Sequence, residues 1–119
     1  MLSMEKIKQN EDIMDCLDLD MTSERAISLY LEWGAFSAHG QRFVRSADES
    51  TCFFTVDAWK KPVRVFLVRQ RSSGREVIGE VDVPQSIVAR IVEYWGGRKG
   101  TYNISEELKD WIRDELALN

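Results

Sequence analysis

The sequence predicts an α+β protein. We expect an antiparallel β-meander of three strands, to which a fourth or fifth could add, packed on one face by two C-terminal helices and preceded by an N-terminal helix. Two observations predict this fold. Residues 51–83 contain three β-rich runs separated by the turn-compatible breaks "KKP" and "SSG", and residues 84–117 contain two apolar stripes at helical spacing. The 119 residues suit one domain.

Residues 1–20 predict an acidic helix or arm. A narrow apolar stripe runs through its charges: Ile7, Ile13, Met14 and Leu17. From Glu5 to Glu24 there are seven acidic residues and two lysines, whereas from Lys60 to Arg75 there are six basic residues and no acid. This asymmetry predicts that the acidic arm lies near a basic strand, within the chain or across a dimer.

The segment from 22 to 34 fits two structures. Thr22 and Ser23 are typical helix starters, whereas Ile27, Leu29, Leu31 and Trp33 alternate as they would in a strand. The alternation favours a strand slightly, and both alternatives stay open. Residues 34–50 predict a loop with a short strand at Arg42–Arg45.

The two hairpins within 51–83 have countable registers. The first turns at residues 59–62 and sets these pairs: Asp57 with Arg64, Val56 with Val65, Thr55 with Phe66, Phe54 with Leu67, and Phe53 with Val68. The second, with a three-residue loop at 72–74, sets these: Val65 with Val81, Leu67 with Gly79, Val68 with Ile78, Arg69 with Val77, and Arg71 with Arg75. Both registers agree on which side chains share a face.

One face of this sheet is nearly all apolar, and we predict that it is the core side: Cys52, Phe54, Val56, Ala58, Val63, Val65, Leu67, Val77, Gly79, Val81 and Val83. The other face is half polar and is the candidate interaction face: Phe53, Trp59, Arg64, Phe66, Val68 and Ile78. The 26–34 segment, the N-terminal helix or a second copy of the chain could cover its apolar part. A second copy would make a homodimer through the sheet.

Two charged clusters are further candidates. Asp57, Arg64 and Asp82 form one row across three strands, which predicts a structural ion ladder. Arg98, Lys99 and Ser105 lie in the loop "YWGGRKGTYNIS", whose glycines and cations resemble an anion site at the start of a helix. Glu106 and Glu107 occupy that first turn and would repel an anion, so the loop is expected to be a structural corner.

The sequence contains no constellation that predicts catalysis, a cofactor or a metal. Cys16 and Cys52 match no metal-ligand spacing, and buried reduced thiols are favoured over a disulfide or a reactive site. His39 is expected to be a loop histidine. The net charge of −4 argues against nucleic acid, and the absence of a long apolar run argues against a membrane segment. A cytoplasmic location is expected.

The strings "LYLEWG" (29–34) and "YWGGRKGTY" (94–102) resemble a small family of uncharacterised single-domain proteins, the hypothetical proteins of sulfate-reducing bacteria. The resemblance implies a bacterial context and carries over no activity or site. The favoured function is a non-enzymatic protein–protein interaction module that self-associates through the half-polar sheet face or binds another protein. The alternative is a single-stranded nucleic-acid binder that uses Arg64, Arg69, Arg71 and the sheet phenylalanines. No small-molecule ligand is inferred.

Overall fold

The computed structural model describes residues 1–34, 50–71 and 73–118, without the side chains of residues 31–34. It confirms the α+β class. In the described part, five helices surround one four-stranded antiparallel sheet of order β3-β2-β1-β4. The elements are α1 (Met4–Lys8), α2 (Glu11–Cys16), α3 (Ser23–Gly34), β1 (Thr51–Asp57), β2 (Arg64–Arg71), β3 (Gly74–Val81), α4 (Gln85–Trp95), β4 (Thr101–Asn103) and α5 (Glu106–Leu116). His39 and the short strand predicted at Arg42–Arg45 lie outside the described residues.

The helix boundaries follow local capping. Ser3, Asn10 and Ser105 each accept a hydrogen bond from the backbone N–H three residues later, at the starts of α1, α2 and α5. α4 ends at Trp95, and its C-cap Gly96 has a φ of 60°, the left-handed conformation that glycine adopts most easily. The two C-terminal helices are therefore where their stripes predicted them. The loop between them also contains β4, which was not predicted.

The slight preference for a strand at 26–34 is wrong, because this segment lies within α3. The hydroxyl of Thr22 accepts the N–H of Arg25 at 3.0 Å, and the Thr22 carbonyl accepts the N–H of Ala26 at 2.9 Å. Ala26 and Tyr30, four residues apart, are buried, whereas Ile27 is 51% exposed. A spacing of four between buried residues is typical of a helix. It decides the structure of this segment against the alternating apolar pattern that favoured a strand.

The register of the first hairpin is confirmed at every pair from Asp57–Arg64 to Phe53–Val68. The second hairpin follows its predicted register only from Val65–Val81 to Leu67–Gly79. An irregularity between Leu67 and Val68 then leaves Ile78 as an extra residue on β3.

Beyond this bulge, each residue of β2 pairs one position earlier on β3 than predicted. Val68 pairs with Val77, and Arg71 pairs with Gly74 instead of Arg75. The change separates two like charges that the predicted register placed opposite each other. It also moves Val77 off the core face, and its side chain is 44% exposed.

Helices cover both faces of the sheet. On the core face, α1, α2, α4 and α5 bury their stripes against the strands in one cluster: Ile7, Ile13, Cys52, Phe54, Val56, Val65, Leu67, Val81, Ile87, Ile91, Leu108, Ile112 and Leu116. On the opposite face, Met21 and Ala26 pack on Phe53 and Val68 in a second, smaller cluster. The two C-terminal helices therefore lie on the apolar face, as predicted.

Both edges of the sheet have short partners. Leu2 lies beside β3, where its N–H donates to the Ile78 carbonyl at 2.9 Å and its carbonyl accepts the Glu80 N–H at 3.0 Å. On the other edge, β4 pairs with β1 through Val56 and Tyr102. A short bridge and a three-residue strand limit the edge that remains open for pairing with another chain.

Candidate interaction surface

The predicted interaction face is largely covered by the chain itself. Phe53 and Val68 are 1% and 2% exposed, and they pack against Met21 and Ala26. Of the three covers considered, the 26–34 segment is thus the one observed here. Ile78 has left this face, because the bulge turns it to pack against the core cluster.

The remaining members of the predicted face do not form one apolar surface. Phe66 is half-buried against the second cluster, and the side chain of Arg64 is 56% exposed. Trp59 is 58% exposed but lies beyond the end of β1, in the β1–β2 turn. Its indole N–H donates to the hydroxyl of Thr101 at 2.9 Å, which holds the ring near β4.

The predicted ion row is only partly assembled. Asp57 lies opposite Arg64 in the ladder, as expected, but its carboxylate accepts the backbone N–H of Trp59 at 3.0 Å. Arg64 forms its ion pair with Glu80, at 3.7 Å between Nε and Oε1. Asp82 lies one residue past the end of β3 and is exposed. The pair with Glu80 therefore replaces the three-residue row.

The nucleic-acid alternative needs stacking surfaces that this sheet does not offer. Phe53 and Phe54 are each 1% exposed, and Phe66 is half-buried. Arg69 pairs with Cys52 on the core face, where its side chain is only partly exposed. Bases require an accessible ring on which to stack, so the named phenylalanines cannot act as a platform in this fold.

Two of the three anion-site candidates, Arg98 and Ser105, serve structural roles in the corner after α4. The Ser105 hydroxyl accepts the Leu108 N–H at 3.2 Å as the cap of α5. The Arg98 Nε–H donates to the Trp95 carbonyl at 3.3 Å, and Lys99 is exposed. The short strand β4 stands between these two cations and Ser105 in the chain.

The first turn of α5 already contains a paired carboxylate. Glu107 accepts two hydrogen bonds from the Arg90 guanidinium, one of them at 2.7 Å. These hydrogen bonds hold the pKa of Glu107 below its ordinary value and raise that of Arg90. A charged carboxylate at this position opposes the binding of an anion, which agrees with the predicted corner.

Aromatic stacking shapes the same corner. The rings of Trp95 and Tyr102 stack at 4.2 Å with an interplanar angle of 14°, and Tyr94 meets Trp95 edge-on at 4.8 Å. The Tyr102 hydroxyl donates to the Arg98 carbonyl at 3.0 Å. A Cβ atom at position 100 would lie 3.1 Å from the Tyr102 ring, which explains why this close approach suits glycine.

A groove of about 270 Å³, the α4 groove, lies between α4 and the β1–β2 turn. Its apolar wall includes Val63, Val88, Ile91 and Trp95. Lys61 and Arg98 also line it, and their sequence neighbours Lys60 and Lys99 are exposed. Within the described part of the chain, none of these four cations forms an ion pair.

Sequence reasoning missed this groove, because one wall is the β1–β2 turn and the other is α4 with the residues that follow it, two parts of the chain that are distant in sequence. The available signals were the paired cations Lys60-Lys61 and Arg98-Lys99, and the apolar residue Val92 on α4. Val92 is 38% exposed in the structure, and Tyr94, also on α4, is 74% exposed. An apolar wall beside four unpaired cations is unusual on a chain of net charge −4.

The acidic N-terminal segment presents charge of the opposite sign. Glu5, Glu11, Asp12 and Asp15 are exposed, and none of them forms an ion pair with a residue that the structure describes. We refer to residues 1–16 with these four carboxylates as the acidic arm. Met1 is its exposed large apolar side chain, at 78%.

Among the described residues, no ion pair joins the acidic segment predicted at 1–20 to the basic strand, and Asp20, which lies in that segment but outside the acidic arm, pairs elsewhere. Asp20 binds the ammonium group of Lys109 on α5 at 2.9 Å. This hydrogen bond lowers the pKa of Asp20 and raises that of Lys109, which also binds Glu106 at 3.1 Å. Asp20 is thus paired within the chain, whereas the four carboxylates of the acidic arm form no ion pair with any described residue.

Comparison with known proteins found no match, whether against protein-family models, curated proteins or solved structures. The resemblance to the sulfate-reducer family therefore stays a prediction. Across 1–34, 50–71 and 73–118, no helix has both the length and the apolar character needed to cross a bilayer. The same residues contain no group of three or more His, Cys, Asp or Glu side chains arranged to hold a metal ion.

Proposed function

We propose that this protein is a non-enzymatic protein–protein interaction module that self-associates, with the acidic arm of one copy docked on the α4 groove of another. One observation carries the proposal: in the part of the chain that the structure describes, four cations beside an apolar groove and four carboxylates on the arm form no ion pair. Complementary charge steers association and fixes orientation between such surfaces.

Apolar contact would supply part of the affinity. Met1 is a suitable insert for the groove, because the unbranched methionine side chain adapts to irregular apolar gaps. Trp95 and Val88 would provide the wall against which it packs. Charged residues around an apolar centre are the usual arrangement at protein interfaces.

The proposed assembly is a closed two-fold dimer. In such a dimer the arm-to-groove contact is made twice, and both copies use the same surfaces. A head-to-tail contact without closure would instead grow into chains. Light scattering distinguishes the two, because the mass of a closed dimer stops rising at twice the 13.8 kDa of the chain.

The principal test is a charge reversal in the groove. Lys61→Glu should weaken self-association about tenfold or more, which corresponds to about 1.4 kcal/mol. The matched control is Arg25→Glu, which makes the same change of charge on exposed α3, away from the groove. Light scattering across a concentration series, at low salt and about 0.5 M salt, measures both variants.

A second variant tests the arm. Asp15 is exposed in the last turn of α2, where a positive charge suits the helix dipole, so Asp15→Lys should leave the fold intact. It should weaken the dimer in the same way as Lys61→Glu. The double variant Asp15→Lys with Lys61→Glu should recover part of the lost affinity, because both signs are exchanged.

A strict monomer at about 1 mM protein and low salt would refute the proposed self-association. Fluorescence polarisation with short single-stranded DNA and RNA examines the competing use of the same cations. Salt-dependent binding that Lys61→Glu abolishes and Arg25→Glu preserves would assign the groove to nucleic acid instead.

A further inference from the structure

Two cysteines from distant parts of the sequence meet in the structure. Cys16 is the last residue of α2 and is half-buried, whereas Cys52 is the second residue of β1 and is fully buried. The Cys16 thiol donates to the Cys52 sulfur, and the two Sγ atoms are 3.1 Å apart. Both are free thiols.

The backbone holds this pair in place. Leu17, the residue after Cys16, forms a parallel bridge with Cys52, and the Asp18 N–H donates to the Cys52 carbonyl at 2.8 Å. A disulfide requires its sulfur atoms at about 2.05 Å, roughly 1 Å closer than they are here. The chain therefore needs only a small local adjustment to join the two sulfurs.

We propose that Cys16 and Cys52 are a redox modification site, which a hydroperoxide oxidises to an intramolecular disulfide and a small thiol reduces again. Three features of the pair support this: the contact between the two thiols, their backbone anchoring and the difference in their exposure. The site lies outside the α4 groove. Cys16 is the last residue of the acidic arm, but none of these features involves the carboxylates of the arm, so the inference does not rest on the proposed function.

The two sulfurs have different roles in the reaction. Burial, together with the neighbouring Cys16 thiol, raises the pKa of Cys52 to about 12, whereas the adjacent Arg69 acts in the opposite direction. Cys52 is therefore protonated at neutral pH and shielded from the oxidant. Cys16 is partly exposed, so its sulfur is the one that meets the peroxide first.

The reaction proceeds in two balanced steps. The Cys16 thiolate attacks one oxygen of hydrogen peroxide, the O–O bond breaks, and protonation of the leaving hydroxide gives Cys16 sulfenic acid and water. The Cys52 sulfur then displaces the hydroxyl from the Cys16 sulfur, the S–S bond forms, and the proton of Cys52 leaves with the hydroxyl as a second water. The two thiols lose two electrons, and one peroxide is reduced.

The disulfide would join α2 to β1 across 36 positions of the chain. Closing a loop of this length restricts the unfolded chain, so we expect the melting temperature of the oxidised protein to rise by about 10 °C. A thiol reductant should return it to the starting value. The carboxyl end of the acidic arm would then be covalently fixed to the sheet.

The test treats the native protein with one equivalent of hydrogen peroxide and follows intact mass and free thiols. We expect a mass loss of two hydrogen atoms, the disappearance of both thiols, and full reversal by dithiothreitol. Peptide mapping should show Cys16 linked to Cys52 of the same polypeptide chain. Cys16→Ser and Cys52→Ala are the controls. Each keeps one cysteine, so neither should form a disulfide within one chain or show the mass loss of two hydrogen atoms.

Three results would overturn the inference. These are two thiols that persist under peroxide, oxygen atoms added to Cys16 while Cys52 stays reduced, and disulfides that join two chains. The measurement on the native chain does not depend on how well the variants fold. If wild type forms the internal disulfide but its melting temperature does not rise, the site stands and the expected constraint on unfolding is wrong.

Discussion

The two hairpins of the sheet share β2 but differ in regularity. The β1–β2 hairpin keeps one register through seven consecutive pairs, whereas the β2–β3 hairpin changes register between Leu67 and Val68. β1 lies inside the sheet, with β2 on one side and β4 on the other. β3 is an edge strand, and its outer partner is Leu2. The irregularity thus occurs where a strand has the fewest neighbours to hold its register.

An alternating apolar pattern therefore predicts the strand register only where the side chains on both faces of the sheet are packed. Along β1, six successive residues are buried, because helices cover the two faces of the sheet. Near its turn, β3 is exposed. The shift there moves Val77 off the predicted core face, while Ile78 packs against the core cluster instead. The bulge also separates Arg71 from Arg75, which favours the shifted pairing.

The largest expected effect tests the regular part. Leu67 is fully buried. It lies on β2 just before the bulge, where it pairs with Phe54 of β1 and Gly79 of β3. Leu67→Ala should destabilise the protein by about 2–5 kcal/mol, because it leaves a cavity in the main core. Val68→Ala, in the smaller cluster under α3, should cost less, roughly 2 kcal/mol. Urea unfolding measures both, and a smaller loss for Leu67 than for Val68 would contradict the assigned sizes of the two cores.

The second prediction tests the bulge directly. Ile78 is half-buried against the core cluster, so Ile78→Lys should cost about 2–3 kcal/mol. Val77 is 44% exposed, so Val77→Lys should change stability by no more than about 0.5 kcal/mol. The register predicted from the sequence, which has no bulge, places Val77 in the core and Ile78 on the other face. It therefore predicts the reverse order of the two variants, and the same unfolding measurement decides between them.

The sequence was sufficient for the fold class, the first hairpin and the two C-terminal helices, because each depends on a long and regular pattern. α3 carries two patterns at once. Its apolar residues alternate from Ile27 to Trp33, whereas Ala26 and Tyr30 are spaced four apart. A helix places Ala26 over Phe53 and Val68, which would otherwise be exposed on this face of the sheet. Such a tertiary requirement cannot be read from the segment alone. β4 is three residues long, too short for any periodicity, and it forms because Tyr102 pairs with Val56.

The candidate site was less predictable for the same reason. The predicted face depended on the Phe53, Val68 and Ile78 row, and the bulge removed Ile78 from it. The α4 groove requires α4 to meet the β1–β2 turn, and the hydrogen bond from the Ala58 N–H to the Gly100 carbonyl, at 2.8 Å, is a contact between residues distant in sequence. Sequence patterns indicated its cations and its apolar residues, but not that they lie together.

The third prediction concerns the edge of β3. A Cβ atom at Gly79 would lie 3.0 Å from both the Ile7 side chain and the Leu2 carbonyl, and 3.3 Å from Leu67. Gly79→Ala should therefore cost about 1–3 kcal/mol, since the backbone of Leu2 must move away from the strand. The matched control is Leu2→Pro, which removes the N–H donated to Ile78 without crowding Leu67. It should cost only about 1 kcal/mol.

Hydrogen exchange tests where the structure yields in Gly79→Ala. The Glu80 N–H donates to the Leu2 carbonyl, so its protection reports whether Leu2 remains beside β3. Gly79→Ala should expose this amide while the amides of the β1–β2 hairpin stay protected. Unchanged protection of Glu80 would show that β3 accommodates the methyl group without losing Leu2, and the edge would then be more adaptable than we infer.

The smallest expected effect comes from the ion pair across the second hairpin. Arg64 and Glu80 are 3.7 Å apart with side chains 56% and 31% exposed, so Glu80→Gln should cost no more than about 0.5 kcal/mol. Asp82→Asn should cost nothing measurable, because Asp82 lies past the end of β3 and the pair is made by Glu80. A double-mutant cycle with Arg64→Gln isolates each interaction. Coupling to Asp82 that exceeds coupling to Glu80 would restore the predicted ion row. Coupling to Glu80 that disappears at about 0.5 M salt would confirm a screened surface pair between Arg64 and Glu80.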